Sequence, residues 1–128
     1  MAGGTWGGRL AYCAFAAAVL VNLYLLFNPG SPGDPAPFVP HRDKIVHFLS
    51  FAAIAWTGRR VGIGALPLGA LLVGHAVESE LVQHFLLPHR SGDPWDVLAD
   101  VCGIGAGLAL AGRLPRRAAH PDAAVAGS

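Results

Sequence analysis

The sequence predicts an all-α protein: a four-helix transmembrane bundle with both termini in the cytoplasm. Three observations carry that expectation. Apolar residues make up 53% of the 128-residue chain and charged residues only 13%, and mean hydropathy is +0.48. A chain with room for one domain cannot hide that much apolar surface from water. The apolar residues also fall in runs whose length suits the hydrocarbon core of a bilayer. Finally, the basic residues sort by face. Arg9, Arg59, Arg60, Arg113, Arg116 and Arg117 share one side of such a bundle, and Arg42, Lys44 and Arg90 share the other. Six against three places both termini inside by the positive-inside rule. The implied partner is the lipid bilayer and the implied location a multi-pass cell membrane. A net charge of +1 argues against a nucleic-acid partner, which would call for a strongly basic face.

Residues 1–9 read as a short cytoplasmic start, Gly-rich and disordered to residue 8. Residues 10–27 are 18 residues without a charge, enough to cross the membrane as a first helix. A cleaved signal peptide with Arg9 as its basic region is the competing reading. It is the weaker one, because the run exceeds an ordinary signal core and no A-x-A-like site follows. Residues 28–40 hold five prolines and two glycines, the composition of an extended, polyproline-like connector. A second helix starts near residues 41–43 and runs to about Thr57; counted from Pro40 it rises about 28 Å. Gly58, Arg59 and Arg60 read as a tight basic turn. A third helix covers residues 61–87 with Pro88 as its stop, and a fourth covers residues 96–112, closed by Arg113 and Pro115. Residues 113–128 read as a disordered cytoplasmic tail. The helical domain is thus residues 10–112. Cys13 and Cys102 sit in apolar runs at no metal or redox spacing, so both read as buried thiols.

Ionisable groups interrupt this apolar pattern at few places, and such groups are costly within a membrane. On the second helix, Asp43, His47 and Ser50 form a stripe at i, i+4 and i+7. On the third, Glu80, Gln83 and His84 form another. On the fourth, Asp96, Asp100, Gly103 and Gly107 lie along one line, and the two glycines make a G-x-x-x-G that admits a close neighbour. With alternating helix directions the three stripes reach the outer ends together, and a shared interior pocket shields them from lipid. Singly, each has a plainer explanation. Asp43 suits a helix N-cap, Lys44 an interfacial lysine, His47 a hydrogen-bonded core histidine and Arg90 a loop charge. Glu80 and Asp100 resist such explanations because both lie well inside their helices. His75 and Glu78 face away from Glu80 and read as a separate pair, or as groups reaching another helix.

The order Asp43-Lys44-x-x-His47-Phe48, then Glu80-x-x-Gln83, Arg90, Asp96 and a glycine-bearing last helix resembles the VanZ-like family. These are small bacterial membrane proteins named for a teicoplanin-resistance accessory protein. The resemblance covers residues 43–107, about half the chain. It implies a cell-envelope role, with glycopeptide tolerance as the expected phenotype, but no defined reaction. One departure stands out: Asp100 occupies the place of the family's usual asparagine and adds an ionisable group.

Three functions fit these residues. The first is binding of a lipid-linked or amphiphilic anionic ligand in an outward-facing pocket. There Lys44 and Arg90 grip a phosphate or carboxylate, and Asp43, His47, Glu80, Gln83, Asp96 and Asp100 complete the site. The second is a metal-assisted hydrolase of a lipid-linked substrate, using His47, His84, Glu80, Asp96 and Asp100 as ligands. No H-E-x-x-H motif supports it. The third is a polar network that only fixes helix packing. Binding ranks first, the network second and catalysis last, and no cofactor is assigned.

Overall fold

A computed structural model of the chain describes residues 5–28, 42–87 and 93–113. They form four helices and no strand: α1 Thr5–Phe27, α2 Arg42–Arg60, α3 Ala65–Phe85 and α4 Pro94–Arg113. The proline-rich connector, Pro88, Arg90 and the tail beyond Arg113 lie outside the described residues. So does the side chain of Asp43.

Three of the four helices, α1, α3 and α4, are long and apolar enough to cross a bilayer. The expectation of four such spans is not met by α2. Its charged ends leave 14 uncharged residues, 45–58, between Lys44 and Arg59. At 1.5 Å per residue these reach about 21 Å, against a hydrocarbon core of about 30 Å. Length and composition make the chain a membrane protein, and its burial pattern agrees. Leu10, Leu20, Tyr24, Leu66, Leu71 and Phe85 face outward, whereas Asn22, His47, Glu80, Gln83, Asp96 and Asp100 are buried. Polar inside and apolar outside is the arrangement that hydrocarbon, not water, stabilises.

Around the bundle the order is α1, α2, α4, α3, closing back on α1; α2 also touches α3, and α1 does not touch α4 among the described residues. The pairs α2 with α4 and α1 with α3 run parallel. Successive turns of α2 therefore meet successive turns of α4: Phe48 faces Gly103 and Ala52 faces Gly107. A methyl at Gly103 would strike the Phe48 carbonyl oxygen. One at Gly107 would meet the Ala52 carbonyl and lie 2.8 Å from the Ala55 methyl. These two glycines let the backbones of α2 and α4 touch. Phe51, Ile54, Ala55, Leu68, Leu72, Ala76, Leu26 and Ile104 fill the rest of the core.

Helix ends differ from the sequence expectation by two residues or more in five places; α3 ends at Phe85 instead of residue 87, and the other four have local reasons. Residues 5–8 belong to α1 instead of a disordered start; Gly7 and Gly8 fall in its first turn, and glycine's entropic cost is greatest in the middle of a helix. Arg59 and Arg60 are the last turn of α2, where basic side chains meet the negative end of the helix dipole. The turn comes after them. Gly62 adopts φ +100°. Its N–H bonds the Arg59 carbonyl at 3.1 Å, and the Ile63 N–H bonds that of Gly58 at 3.1 Å. This is a Schellman end, which favours glycine in the left-handed position. It moves the start of α3 from residue 61 to Ala65. Lastly, α4 begins at Pro94, two residues before Asp96. Asp93 is its N-cap, its Oδ1 accepting the Trp95 N–H at 3.0 Å, and Pro94 stands where a missing N–H does no harm.

Candidate functional site

The parallel pairing brings together the N-terminal ends of α2 and α4 with the C-terminal ends of α1 and α3. Lys44 opens the site. Its Nζ donates to Asp93 Oδ2 at 2.9 Å and to Asp96 Oδ1 at 3.4 Å. One turn deeper, His47 Nδ1 pairs with Asp100 Oδ1 at 2.7 Å, and its Nε2 stands 3.9 Å from Asp96 Oδ2. With Asp100 ionised, Nδ1 carries the hydrogen and Nε2 is left facing Asp96. Glu80 arrives from α3 and accepts the Asp93 backbone N–H with Oε1. It also lies within electrostatic reach of Asp96, His47 and Asp100. Glu80, His47 and Asp100 sit five or six residues inside their helices, about 7–9 Å from the helix ends.

Burial at these positions is deep: Asp100 is 0% exposed, His47 5%, Asp96 6% and Glu80 8%. Yet Glu80 Oε2 and Asp100 Oδ2 find no partner. Buried polar atoms are ordinarily satisfied, and an orphan at a charged group is the most costly kind. At the mouth, the Lys44 ammonium and then the Trp95 amide hold the Asp93 carboxyl below its ordinary value.

A second network adjoins the first. Asn22 of α1 donates from Nδ2 to Ser50 Oγ at 3.0 Å, and Ser50 donates to the His47 carbonyl at 3.1 Å. On its other side Asn22 Oδ1 accepts from His75 Nε2 at 2.9 Å, while His75 Nδ1 meets Glu78 Oε2 at 3.3 Å. Gln83 does not enter the acidic cluster. Its Nε2 donates to the Leu26 carbonyl at 2.8 Å and ties α3 to the end of α1.

The structure therefore brings Lys44, His47, Glu80, Asp96 and Asp100 into one cluster and turns Gln83 toward α1. His84, expected in the Glu80 stripe, is exposed and packs edge-on against Phe85. Cys13 and Cys102, expected to be buried, are both exposed on the outer face, where a thiol meets lipid at little cost. Two groups escaped the sequence reading. Asp93 had a signal, an Asp-Pro step opening an apolar helix, which marks an N-cap. Asn22 had a fainter one, a single amide in an otherwise apolar run. Among the described residues no three His, Cys, Asp or Glu side chains stand where one metal ion could join them. No family model, curated protein or solved structure matches the chain.

Proposed function

We propose that this chain is a VanZ-like integral membrane protein of the cell envelope that binds an amphiphilic or lipid-linked ligand in its interhelical polar cluster. In this reading α2 completes four spans, and both termini face the cytoplasm because the basic residues are distributed that way. The contribution to envelope defence, with tolerance of the glycopeptide teicoplanin as its phenotype, rests on the family resemblance. The observation that carries the binding reading is the pair of orphaned carboxyl oxygens, Glu80 Oε2 and Asp100 Oδ2, in one cluster; the third buried atom without a partner among the described residues, Trp56 Nε1, is a neutral donor near the other end of α2. A network built only for packing gains nothing from leaving its most costly acceptors unmet. A ligand with hydrogen-bond donors would meet them. The phosphate or carboxylate expected to lie on Lys44 competes there with Asp93 and Asp96.

The packing-only reading has its own support in Asn22, Ser50 and His75, whose groups satisfy one another across three helices. One experiment separates the two. Glu80→Gln and Asp96→Asn are placed in a strain lacking the wild-type gene, with Asn22→Leu as the packing control and membrane abundance monitored. Ligand binding predicts that the two acidic-site variants keep their melting temperature in detergent and lose teicoplanin tolerance. Wild-type tolerance in both, with lowered melting temperatures, would leave only the structural network.

A further inference from the structure

The cluster carries more negative than positive groups. Glu80, Asp93, Asp96 and Asp100 stand against Lys44 and His47, so two acidic groups remain uncompensated even with His47 charged. Each orphaned oxygen belongs to a buried carboxyl whose other oxygen is already engaged in the cluster. A metal ion draws its donors to about 2.0–2.6 Å of one point, a convergence these residues lack. An ammonium is less demanding, with three N–H donors reaching acceptors at about 2.7–3.2 Å. Lys44 itself displays that mode, its ammonium shared between Asp93 and Asp96.

Beside this cluster runs a groove of about 460 Å³ lined by Lys44, Trp95, Leu98, Ala99 and Cys102. Apart from Lys44 the lining is apolar or thiol, and Trp95 and Leu98 are 65% and 51% exposed on the outer face of α4. That face belongs to a helix apolar enough to cross a bilayer, so a lipid tail is what it meets. Lys44 belongs to both places: it lines the groove and touches the carboxylates.

We propose that the groove and cluster together take a bilayer lipid with a zwitterionic amino-phosphate head. Its primary ammonium lies among Glu80, Asp96 and Asp100, its phosphate on Lys44 turned outward, and its tail against Trp95, Leu98 and Cys102. This rests on the reading of the cluster as a ligand site and names the ligand's class. It also gives Lys44 an anion to bind without stripping the carboxylates of a counter-charge. Lys44 is a tethered ammonium that the lipid's own replaces.

The test uses the full chain, purified in detergent, and dihexanoyl lipids read by thermal shift and by direct binding. Phosphatidylethanolamine should bind about tenfold or more tightly than phosphatidylcholine, whose quaternary head has no N–H to donate to the carboxylates. Glu80→Gln should remove that preference, and Lys44→Met should weaken both lipids. Should Glu80→Gln fail to fold, Cys102→Trp, which fills the groove from the lipid side, should abolish binding of both lipids at an unchanged melting temperature. Preference for anionic phosphatidylglycerol would overturn the amino-phosphate assignment and leave an anionic amphiphile as the ligand. Dodecylamine binding as tightly as phosphatidylethanolamine would overturn it too, in favour of a simple cationic amphiphile. Saturable binding of none of these probes by a folded protein would reject the ligand site altogether.

Discussion

Replacing Gly103 by alanine is the sharpest perturbation of the frame that holds the site. In an unhindered helix the change is favourable by about 0.8–1 kcal/mol, since glycine is the weaker helix former. Here the new methyl would lie 3.0 and 3.1 Å from the carbonyl carbon and Cα of Phe48, besides striking its carbonyl oxygen. Carbon atoms rest at about 3.5–4.0 Å, so the axes of α2 and α4 must part by about 0.5–1 Å. Backbone cannot rotate aside as a side chain can, and overpacking of this kind costs about 1–3 kcal/mol. The His47–Asp100 hydrogen bond joins the same two helices one turn away at 2.7 Å. A parting of that size takes it from 2.7 Å to about 3.2–3.7 Å, at or beyond the edge of bonding distance. Gly105, which has nothing within 4 Å, is the internal control. Thermal unfolding in a mild detergent should show Gly103→Ala melting below wild type and Gly105→Ala at or above it. Equal melting temperatures for the two variants would refute the account of α2 and α4 as touching backbones.

Three further outcomes follow from the polar contacts. His47→Ala should destabilise the bundle by about 3–5 kcal/mol, because it strands the buried Asp100 carboxylate without its partner. The double variant with Asp100→Leu should recover much of that loss in a double-mutant cycle, whereas strict additivity would argue that the pair is not coupled. Asn22→Leu should cost about 1–3 kcal/mol by unfolding in detergent, since bonds between membrane helices average near 0.6 and reach about 1.7 each and Asn22 makes two. Asp93 has a folded pKa below its unfolded one, so its stabilising contribution is complete above the unfolded value near 4 and disappears as pH falls through the lowered folded value. Melting temperature should therefore drop on acidification below about pH 4, and Asp93→Asn should flatten that part of the profile.

Much of the architecture was legible in the chain because hydrocarbon imposes length and composition directly. Residues 10–27 could be little other than a long apolar helix, and α1 contains all of them. Boundaries were less legible. They depend on single turns: the left-handed Gly62 that closes α2 after Arg60, and the Asp93-Pro94 step that opens α4 early. Spacing along one helix also says which residues share a face but not which neighbour that face meets. Glu80 and Gln83 are three residues apart, yet Glu80 reaches Asp93 while Gln83 reaches the Leu26 carbonyl. The short span of α2 follows from where its charges fall, which was visible in the sequence. That it packs against all three other helices while Ile45 and Leu49 stay exposed was not.

By itself the sequence determined the solvent and the helices. Long apolar runs must bury their backbone polar groups in their own hydrogen bonds, and so few charged residues leave only a membrane interior for them. Which polar groups meet was decided by tertiary structure alone. Pairing α2 with α4 in parallel, at a distance only Gly103 and Gly107 allow, sets His47 against Asp100 and Lys44 against Asp93 and Asp96. Hydrophobic pattern cannot specify this: alternating spans make α2 and α4 parallel, but only close backbone contact and the pairing of buried charges make them neighbours.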